Sequence, residues 1–327
     1  MEVDTDNRAA VEGRLEEHLT LPLLAATQAA AIAAQPWFGR GDGKAADGAA
    51  VDAMRRVLNA APGEGVVVIG EGEKDDAPML YNGETLGAGG EPRYEIAVDP
   101  LEGTRYLAKG LPGAVAVIAV AERDAMWSPG PGFYMDKLVV GAAAKGVVDI
   151  RLEPEENLRR IADALGKDLG EIHVFVLDKD RHEDFVSRIR DYGAAVVEHP
   201  DGDVGGALEA LMPGSGVDVL MGVGGTPEGV IAASAARILG GDMQGRLAPQ
   251  SDAERATIEE AGFDMDQVFT LPDLIRGEIM FVATGVSGGH FLKKPWRNAG
   301  HYWTESLVLK PGGRIARVVE SAGLVST

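Results

Sequence analysis

The sequence predicts an α/β protein with an α+β first half and an alternating α/β second half. Three observations carry that expectation. From about residue 145, strand-like and helical runs alternate, the pattern of a sheet with helices laid on it. Two strand-like runs in the first half and one in the second end in a carboxylate with glycine nearby, where α/β proteins place site residues. The chain has 327 residues, 44 of them Gly, enough for one large or two ordinary domains with many tight turns. No repeat or long linker interrupts it. The change of rhythm therefore sets an expected boundary near residue 150, between an N-terminal metal-site domain (1–150) and a C-terminal substrate domain (151–327).

The elements follow in order. Residues 20–34 read as a helix, with Thr20 as N-cap, Pro22 in the first turn and Ala dominant. A polar loop over 39–47 leads to a second helix over 51–59. Residues 65–69 form a buried strand ending in Gly70-Glu71-Gly72-Glu73. Further strands are expected at 94–98, 114–122 and 134–140. Beyond the boundary, strands at 147–152, 173–177, 194–197 and 217–223 alternate with helices at 155–166, 182–192, 204–212 and 227–239. The tail, 304–309 and 314–319 around Pro311-Gly312-Gly313, reads as a hairpin.

Composition narrows the function. The chain is 45% hydrophobic and 25% charged, with 31 basic against 51 acidic residues and a net charge of −20. A nucleic-acid backbone is an unsuitable partner for that charge. Phosphate esters remain possible ligands, because bound cations dominate the field of their own site. The absence of Cys excludes disulfides, zinc–thiolate sites and a Cys nucleophile. The acidic N-terminal stretch lacks the basic and apolar regions of a signal peptide. The Ala-rich run over 21–38 is broken by Pro22, Gln28, Gln35 and Pro36, so no membrane span or membrane partner is expected. A cytoplasmic protein is the expectation.

The hexapeptide Asp99-Pro100-Leu101-Glu102-Gly103-Thr104 carries the chemistry furthest. Two carboxylates at a strand end, followed by Gly and Thr where a helix begins, suit a hard divalent cation beside a phosphate. The alternative, that Asp99 and Glu102 only complement a helix dipole, weakens once other strand ends are counted. Four carboxylates crowd Glu71, Glu73, Asp75 and Asp76, and repel one another unless cations or solvent compensate. A third strand end carries Gly222, Gly224, Gly225, Thr226, Pro227 and Glu228. Thr226 fits an N-cap and Pro227 a first helical position. The first two glycines match a dinucleotide fingerprint, but Pro227 occupies the third position, so a nicotinamide site is disfavoured. Glu228 reads as another metal ligand or as a favourable first-turn charge.

Lys179 and Arg181 follow a strand and suit a phosphate. Asp201-Gly202-Asp203 follows another and suits sugar hydroxyls. Each of these can equally be an ordinary turn or surface charge. The six His residues show no metal-ligand spacing, and His182 reads as a surface residue at a helix start. Neither a Gly-x-Ser-x-Gly elbow nor a P-loop is present.

Taken together, Gly39-Arg-Gly-Asp42, Asp47-Gly-Ala-Ala-Val51, Val68-Ile-Gly-Glu-Gly-Glu-Lys-Asp75, Ala77-Pro-Met-Leu-Tyr81, Asp99-Pro-Leu-Glu-Gly-Thr-Arg105 and Gly224-Gly-Thr-Pro-Glu-Gly229 resemble the bacterial class II fructose-1,6-bisphosphatases, from about residue 20 to the tail. The resemblance implies the layered α/β/α/β/α fold of the lithium-sensitive, inositol-monophosphatase-like phosphatases. It also implies Mg²⁺- or Mn²⁺-dependent hydrolysis of the 1-phosphate of fructose 1,6-bisphosphate, in gluconeogenesis. Some relatives also take sedoheptulose 1,7-bisphosphate. By the same resemblance Asp42, Glu71, Asp99, Glu102 and Glu228 are the metal ligands. Glu73 and Asp75 support the metals or activate water. Glu102, Gly103 and Thr104 meet the 1-phosphate, with Thr104 also positioning water. Tyr134, Lys179, Arg181, Asp201, Gly202, Asp203 and Gly225 are substrate contacts. A homo-oligomer, dimer or tetramer, is expected. Four positions depart from the pattern: Gly43 where Lys directly follows the Asp, Asp180 for Pro, His290 for Asp and Gln28 for Glu.

Overall fold

The computed structural model describes residues 14–72 and 79–322. Along the chain, helix α1 (Arg14–Ala34) and helix α2 (Gly43–Leu58) precede strands β1 (Gly63–Ile69), β2 (Thr85–Gly89) and β3 (Arg93–Glu102). A short helix α3 (Thr104–Lys109) leads to β4 (Val115–Glu122). Then come β5 (Tyr134–Val140), α4 (Pro154–Leu165), β6 (His173–Leu177), α5 (Glu183–Tyr192), β7 (Ala195–His199) and α6 (Asp203–Leu211). These are followed by β8 (Val219–Gly225), α7 (Thr226–Leu239), β9 (Asp242–Leu247), α8 (Asp252–Glu260), β10 (Phe269–Thr270) and α9 (Leu271–Leu274). Strands β11 (Ile279–Gly285), β12 (Trp296–Asn298), β13 (His301–Lys310) and β14 (Arg314–Ala322) complete it. The class is α/β, with two mixed sheets.

The chain divides into two compact units, Met1–Met126 with Arg276–Thr327, and Trp127–Ile275. This differs from a single break near residue 150 in both place and connectivity. The physical reason is strand pairing: β11 runs antiparallel to β4 with Ile279 opposite Ala121, and β13 pairs with β11. The C-terminal hairpin therefore belongs to the first sheet. Its register, Lys310 opposite Arg314, places the turn at the anticipated Pro-Gly-Gly.

In the first unit the eight-stranded sheet runs β12-β13-β11-β4-β3-β1-β2, with β14 on β13. Helices α1 and α2 pack on each other and against this sheet. Leu15, Leu19 and Leu23 recur one helical turn apart, and all are buried. That apolar stripe extends α1 well before Thr20, which is not its cap; the Thr20 hydroxyl donates 2.7 Å back to the Glu16 carbonyl. Pro22 thus stands inside the helix, where its cost of about 3 kcal/mol is offset by two or more buried Leu side chains. Ala46, Ala50 and Met54 likewise carry α2 back through the expected polar loop to Gly43.

In the second unit the sheet runs β10-β9-β5-β8-β6-β7, with β6, β7 and β8 parallel. Leu138, Val140, Val174, Val176 and Met221 pack with Leu158, Ile161, Val186 and Ile189 of α4 and α5. Helices α6 and α7 pack against β5, with α6 also on β8 and β6. The strand expected at 147–152 does not form. Side chains satisfy its backbone instead: Ile150 N–H donates to Gln244 Oε1, Gln244 Nε2 to the Val148 carbonyl, and Asn157 Nδ2 to the Asp149 carbonyl. No described helix is long and apolar enough to cross a membrane.

Candidate active site

Site residues of the first unit lie at the carboxyl ends of two adjacent interior strands of its sheet. Strands β1 and β3 are adjacent and parallel, with Ile69 opposite Ala97. Glu71 and Asp99 each lie two residues beyond that pair, at neighbouring strand ends. The base of the acidic loop is pinned where Glu71 N–H donates 2.9 Å to the Leu80 carbonyl. Glu84, which sequence reasoning passed over, fixes the other side. Its buried carboxylate receives Arg55 Nε at 2.6 Å and the Leu80 N–H. Glu73 and Asp75 lie outside the described residues.

Asp99 and Glu102 come together through an irregularity in β3. Residues three apart on an unbroken strand face opposite sides. Against β4, however, Asp99 pairs with Val117 and Glu102 with Val115, so one extra residue is accommodated between them. Ligand oxygens of Asp99 and Glu102 consequently lie within 4.8 Å of each other. Asp99 Oδ1 also accepts 2.9 Å from Leu101 N–H, which holds the turn of the chain.

Glu102 itself is 5% exposed. Gly103, left-handed at φ 82°, then caps α3, and Thr104 opens it. The Thr104 hydroxyl donates 3.0 Å to the Leu101 carbonyl, orienting its oxygen beside the carboxylates.

Asp42 reaches the same neighbourhood from the loop before α2. Gly39 and Gly41 donate to the Leu107 and Ala108 carbonyls of α3 at 2.8 and 2.9 Å. Asp42 caps α2, with Oδ1 accepting 3.0 Å from Ala45 N–H. At Gly43 any Cβ would stand 2.7 Å from Thr104 Cγ2. Nothing in the structure explains why this position departs from the pattern. Lys44 is exposed, and Asp47 one turn further on has its carboxyl raised by burial.

In the second unit, Lys179, Arg181, Asp201, Gly202 and Asp203 follow the carboxyl ends of the parallel strands β6 and β7, and Gly225 is the last residue of β8. Tyr134, at the start of antiparallel β5, lies opposite Gly225. Arg181 stacks 5.3 Å over the Tyr134 ring and donates to the Val223 carbonyl at 3.2 and 2.7 Å. Lys179 Nζ reaches the Pro200 carbonyl at 2.6 Å, joining the two loops that precede α5 and α6. Glu228 sits in the first turn of α7, whose N-cap is Gly225; Thr226 lies one place inside and its hydroxyl is buried. Arg181 and His182 also line a cavity of about 640 Å³ within this unit, with Asp136, Phe185 and Arg246 on its wall.

His182 is not the surface residue expected at a helix start. It is 4% exposed, and its Nδ1 bonds the Leu177 carbonyl at 2.7 Å. Its Nε2 accepts 2.9 Å from Val223 N–H. These partners require the neutral Nδ1–H tautomer. Burial first, and then the nearby Arg181 and Lys179 charges, hold its pKa below the ordinary histidine value. Lys137 is a second missed residue. It is 3% exposed and pairs with Asp203 while donating 2.8 Å to the Gly225 carbonyl. A charged residue among strand apolars at 134–140 was the signal that could have found it.

An α/β protein with clustered carboxylate oxygens at strand ends, beside a helix start, has a donor set that could hold a hard divalent cation. The comparisons with known proteins narrow this. The model of the family described as "Bacterial fructose-1,6-bisphosphatase, glpX-encoded" matches residues 17–323. The chain is 43% identical over 309 residues to the "Fructose-1,6-bisphosphatase class 2" of Haemophilus influenzae, covering 90% of this chain and 92% of that one. It is 41% identical over 321 residues to the "Fructose-1,6-bisphosphatase 1 class 2" of Escherichia coli, covering 94% and 95% respectively. The chain belongs to the class II, glpX-encoded fructose-1,6-bisphosphatase family.

Proposed function

We propose that this protein is a metal-dependent phosphatase that hydrolyses the 1-phosphate of fructose 1,6-bisphosphate to fructose 6-phosphate and phosphate. The observation that carries the reading is the pairing of Asp99 and Glu102 at the bulged end of β3, followed at once by Gly103 and Thr104, in a chain of this family. The donor set fits a hard cation, because every candidate ligand is a carboxylate oxygen. Asp42, Glu71, Asp99, Glu102 and Glu228 would hold two or more Mg²⁺ or Mn²⁺ ions. When bound, these ions neutralise the phosphate and lower the pKa of a coordinated water.

The protein's own groups supply the rest. The backbone at Gly103 and the start of α3 receive the phosphate oxygens. The hydroxyl of Thr104, held through the Leu101 carbonyl, orients the attacking water, and Asp75 or Thr104 takes part in its activation. Tyr134, Lys179, Arg181, Asp201, Gly202, Asp203 and Gly225 orient the sugar and its distal phosphate, so that attack is in line. Glu73 assists at the acidic loop. The reading extends to membership of the lithium-sensitive, inositol-monophosphatase-like superfamily, a homo-oligomeric state, and a cytoplasmic role in gluconeogenesis.

The experiment is phosphate release with Mg²⁺ and with Mn²⁺ on fructose 1,6-bisphosphate, sedoheptulose 1,7-bisphosphate and inositol 1-phosphate, with EDTA and lithium as controls. Highest kcat/KM on fructose 1,6-bisphosphate, lost with EDTA, supports the reading. Preference for inositol 1-phosphate, or activity untouched by EDTA, overturns it.

A further inference from the structure

We propose that Lys137 is a positioning residue that, through its pairing with Asp203, locks the substrate turn and the strand leading to Glu228 into one geometry. The inference rests on the reading of residues 201–203 and Gly225 as the substrate-facing segments. Lys137 lies in the middle of β5, directly opposite Gly222 of β8. Its stem passes the start of α7, where a Cβ at Gly229 would stand 3.4 Å from Lys137 Cδ. Its ammonium meets the Asp203 carboxylate, the first residue of α6, and the Gly225 carbonyl at 2.8 Å, the N-cap of α7. One cation therefore ties β5, β8, α6 and α7 at the point from which their site residues project.

The glycines of this segment acquire a role the dinucleotide fingerprint does not give them. A Cβ at Gly224 would strike the Asp203 carboxylate and stand 2.8 Å from Lys137 Nζ, so the bare backbone is the slot through which the lysine reaches. At Gly225 a Cβ would strike the Glu228 carboxylate. The rest of the segment is fixed as tightly. Val223 N–H is held by His182, the Val223 carbonyl by Arg181, and Thr226 N–H donates 2.9 Å to the Phe133 carbonyl. A buried ion pair is weak as a source of stability, since desolvation cancels much of its attraction, but it specifies geometry when its remaining hydrogen bonds are satisfied. Here the second partner of the ammonium is the Gly225 carbonyl, at the N-cap of the helix that carries Glu228.

Lys137→Met, Asp203→Asn and the double variant test this in the full-length, metal-loaded enzyme. Because the Met variant leaves Asp203 buried and unpaired, Lys137→Gln is made beside it, and thermal melts report folding for all. The expected result is a fall in kcat/KM of about 10- to 100-fold for each single variant, carried mainly by KM. The double variant is no worse than the worse single one, because both remove the same lock. Excess Mn²⁺ does not restore KM. Wild-type kinetics in folded Lys137→Gln overturn the proposal, as does full additivity in the double variant, which shows that the two residues act independently. A wild-type protein that fails to hydrolyse any sugar bisphosphate counts against the phosphatase reading instead. In that case loss of fructose 6-phosphate binding in Lys137→Gln, followed calorimetrically, still reads the lock.

Discussion

Asp99 and Glu102 stand three positions apart on one strand, yet their carboxylate oxygens lie within 4.8 Å on the same side of it. The cause is the extra residue between the Asp99–Val117 and Glu102–Val115 pairs, which advances the alternation of β3 by one step. Pro100, which has no N–H to give the ladder, occupies the irregular stretch where that lack costs least. Two carboxylates held this close repel, and a cation relieves the repulsion. Asp99→Asn and Glu102→Gln are therefore expected to lower kcat/KM by about 100-fold or more, the scale on which metal sites respond to lost ligation. Neither should lower the melting temperature of the metal-free protein. Calorimetric titration with Mn²⁺, alongside phosphate release, checks both halves of the expectation.

Gly43 supplies a separate test of the Asp42 loop. Its backbone lies so near Thr104 that a methyl group would stand 2.7 Å from Thr104 Cγ2. Gly43→Ala should displace Thr104 by a few tenths of an ångström and lower kcat by roughly tenfold, with little change in KM. Thr104→Ser removes Cγ2 while keeping the hydroxyl. Adding it to Gly43→Ala should recover part of the loss, a coupling that a double-mutant cycle measures directly.

Much of this arrangement was legible in the residue order. Carboxylates at strand ends drew attention to Glu71, Asp99 and Glu228, and β5, β6 and the tail hairpin lie where periodicity put them. The discontinuous first unit was not legible, because pairing between β4 and β11 joins residues more than 150 apart and leaves no local trace. The side-chain-satisfied stretch at 148–150 looked like a strand because Val147, Val148, Ile150 and Leu152 are apolar; Asn157 and Gln244 decide otherwise from a distance. His182 and Lys137 were missed or misread for one reason: polar residues buried by distant partners look like surface residues in a linear sequence. Glu73 and Asp75 fall outside the described residues, so their roles rest on the motif.

The buried, neutral state of His182 carries a pH dependence whose sign follows from its partners. The folded pKa is lowered by burial, so the unfolded chain takes up a proton at its ordinary value, near 6.5, while the folded protein still resists it. The contribution to stability is complete above about pH 6.5 and declines as pH falls through that value toward the folded pKa. Protonation would place a hydrogen on Nε2, facing the Val223 N–H it now accepts from. Melting temperatures between pH 8 and 5 should fall in the acid half of the range. In His182→Gln the midpoint should be lower at pH 8, and the acid decline shallower. An identical acid decline in both proteins would assign it to other groups.

Glu84 offers the last prediction, on how the backbone at Glu71 and Leu80 is held. Its side chain is buried and accepts both Arg55 Nε and the Leu80 N–H, while the Leu80 carbonyl accepts from Glu71 N–H. Leu80 is thereby clamped from two sides, and its positive φ of 54° shows a backbone conformation that needs support. Glu84→Gln keeps the shape but loses the charge-assisted bonds, and Glu84→Ala leaves Leu80 N–H without its acceptor. A buried donor stripped of its partner costs about 1–3 kcal/mol, so the Ala variant should lose roughly that in denaturant unfolding. Because Glu71 is tied to the same residue, both variants should also weaken Mn²⁺ binding, the Ala variant more. Arg55→Ala separates the two bonds: it removes the half-buried partner alone and should cost less in both measurements, since the Leu80 clamp remains.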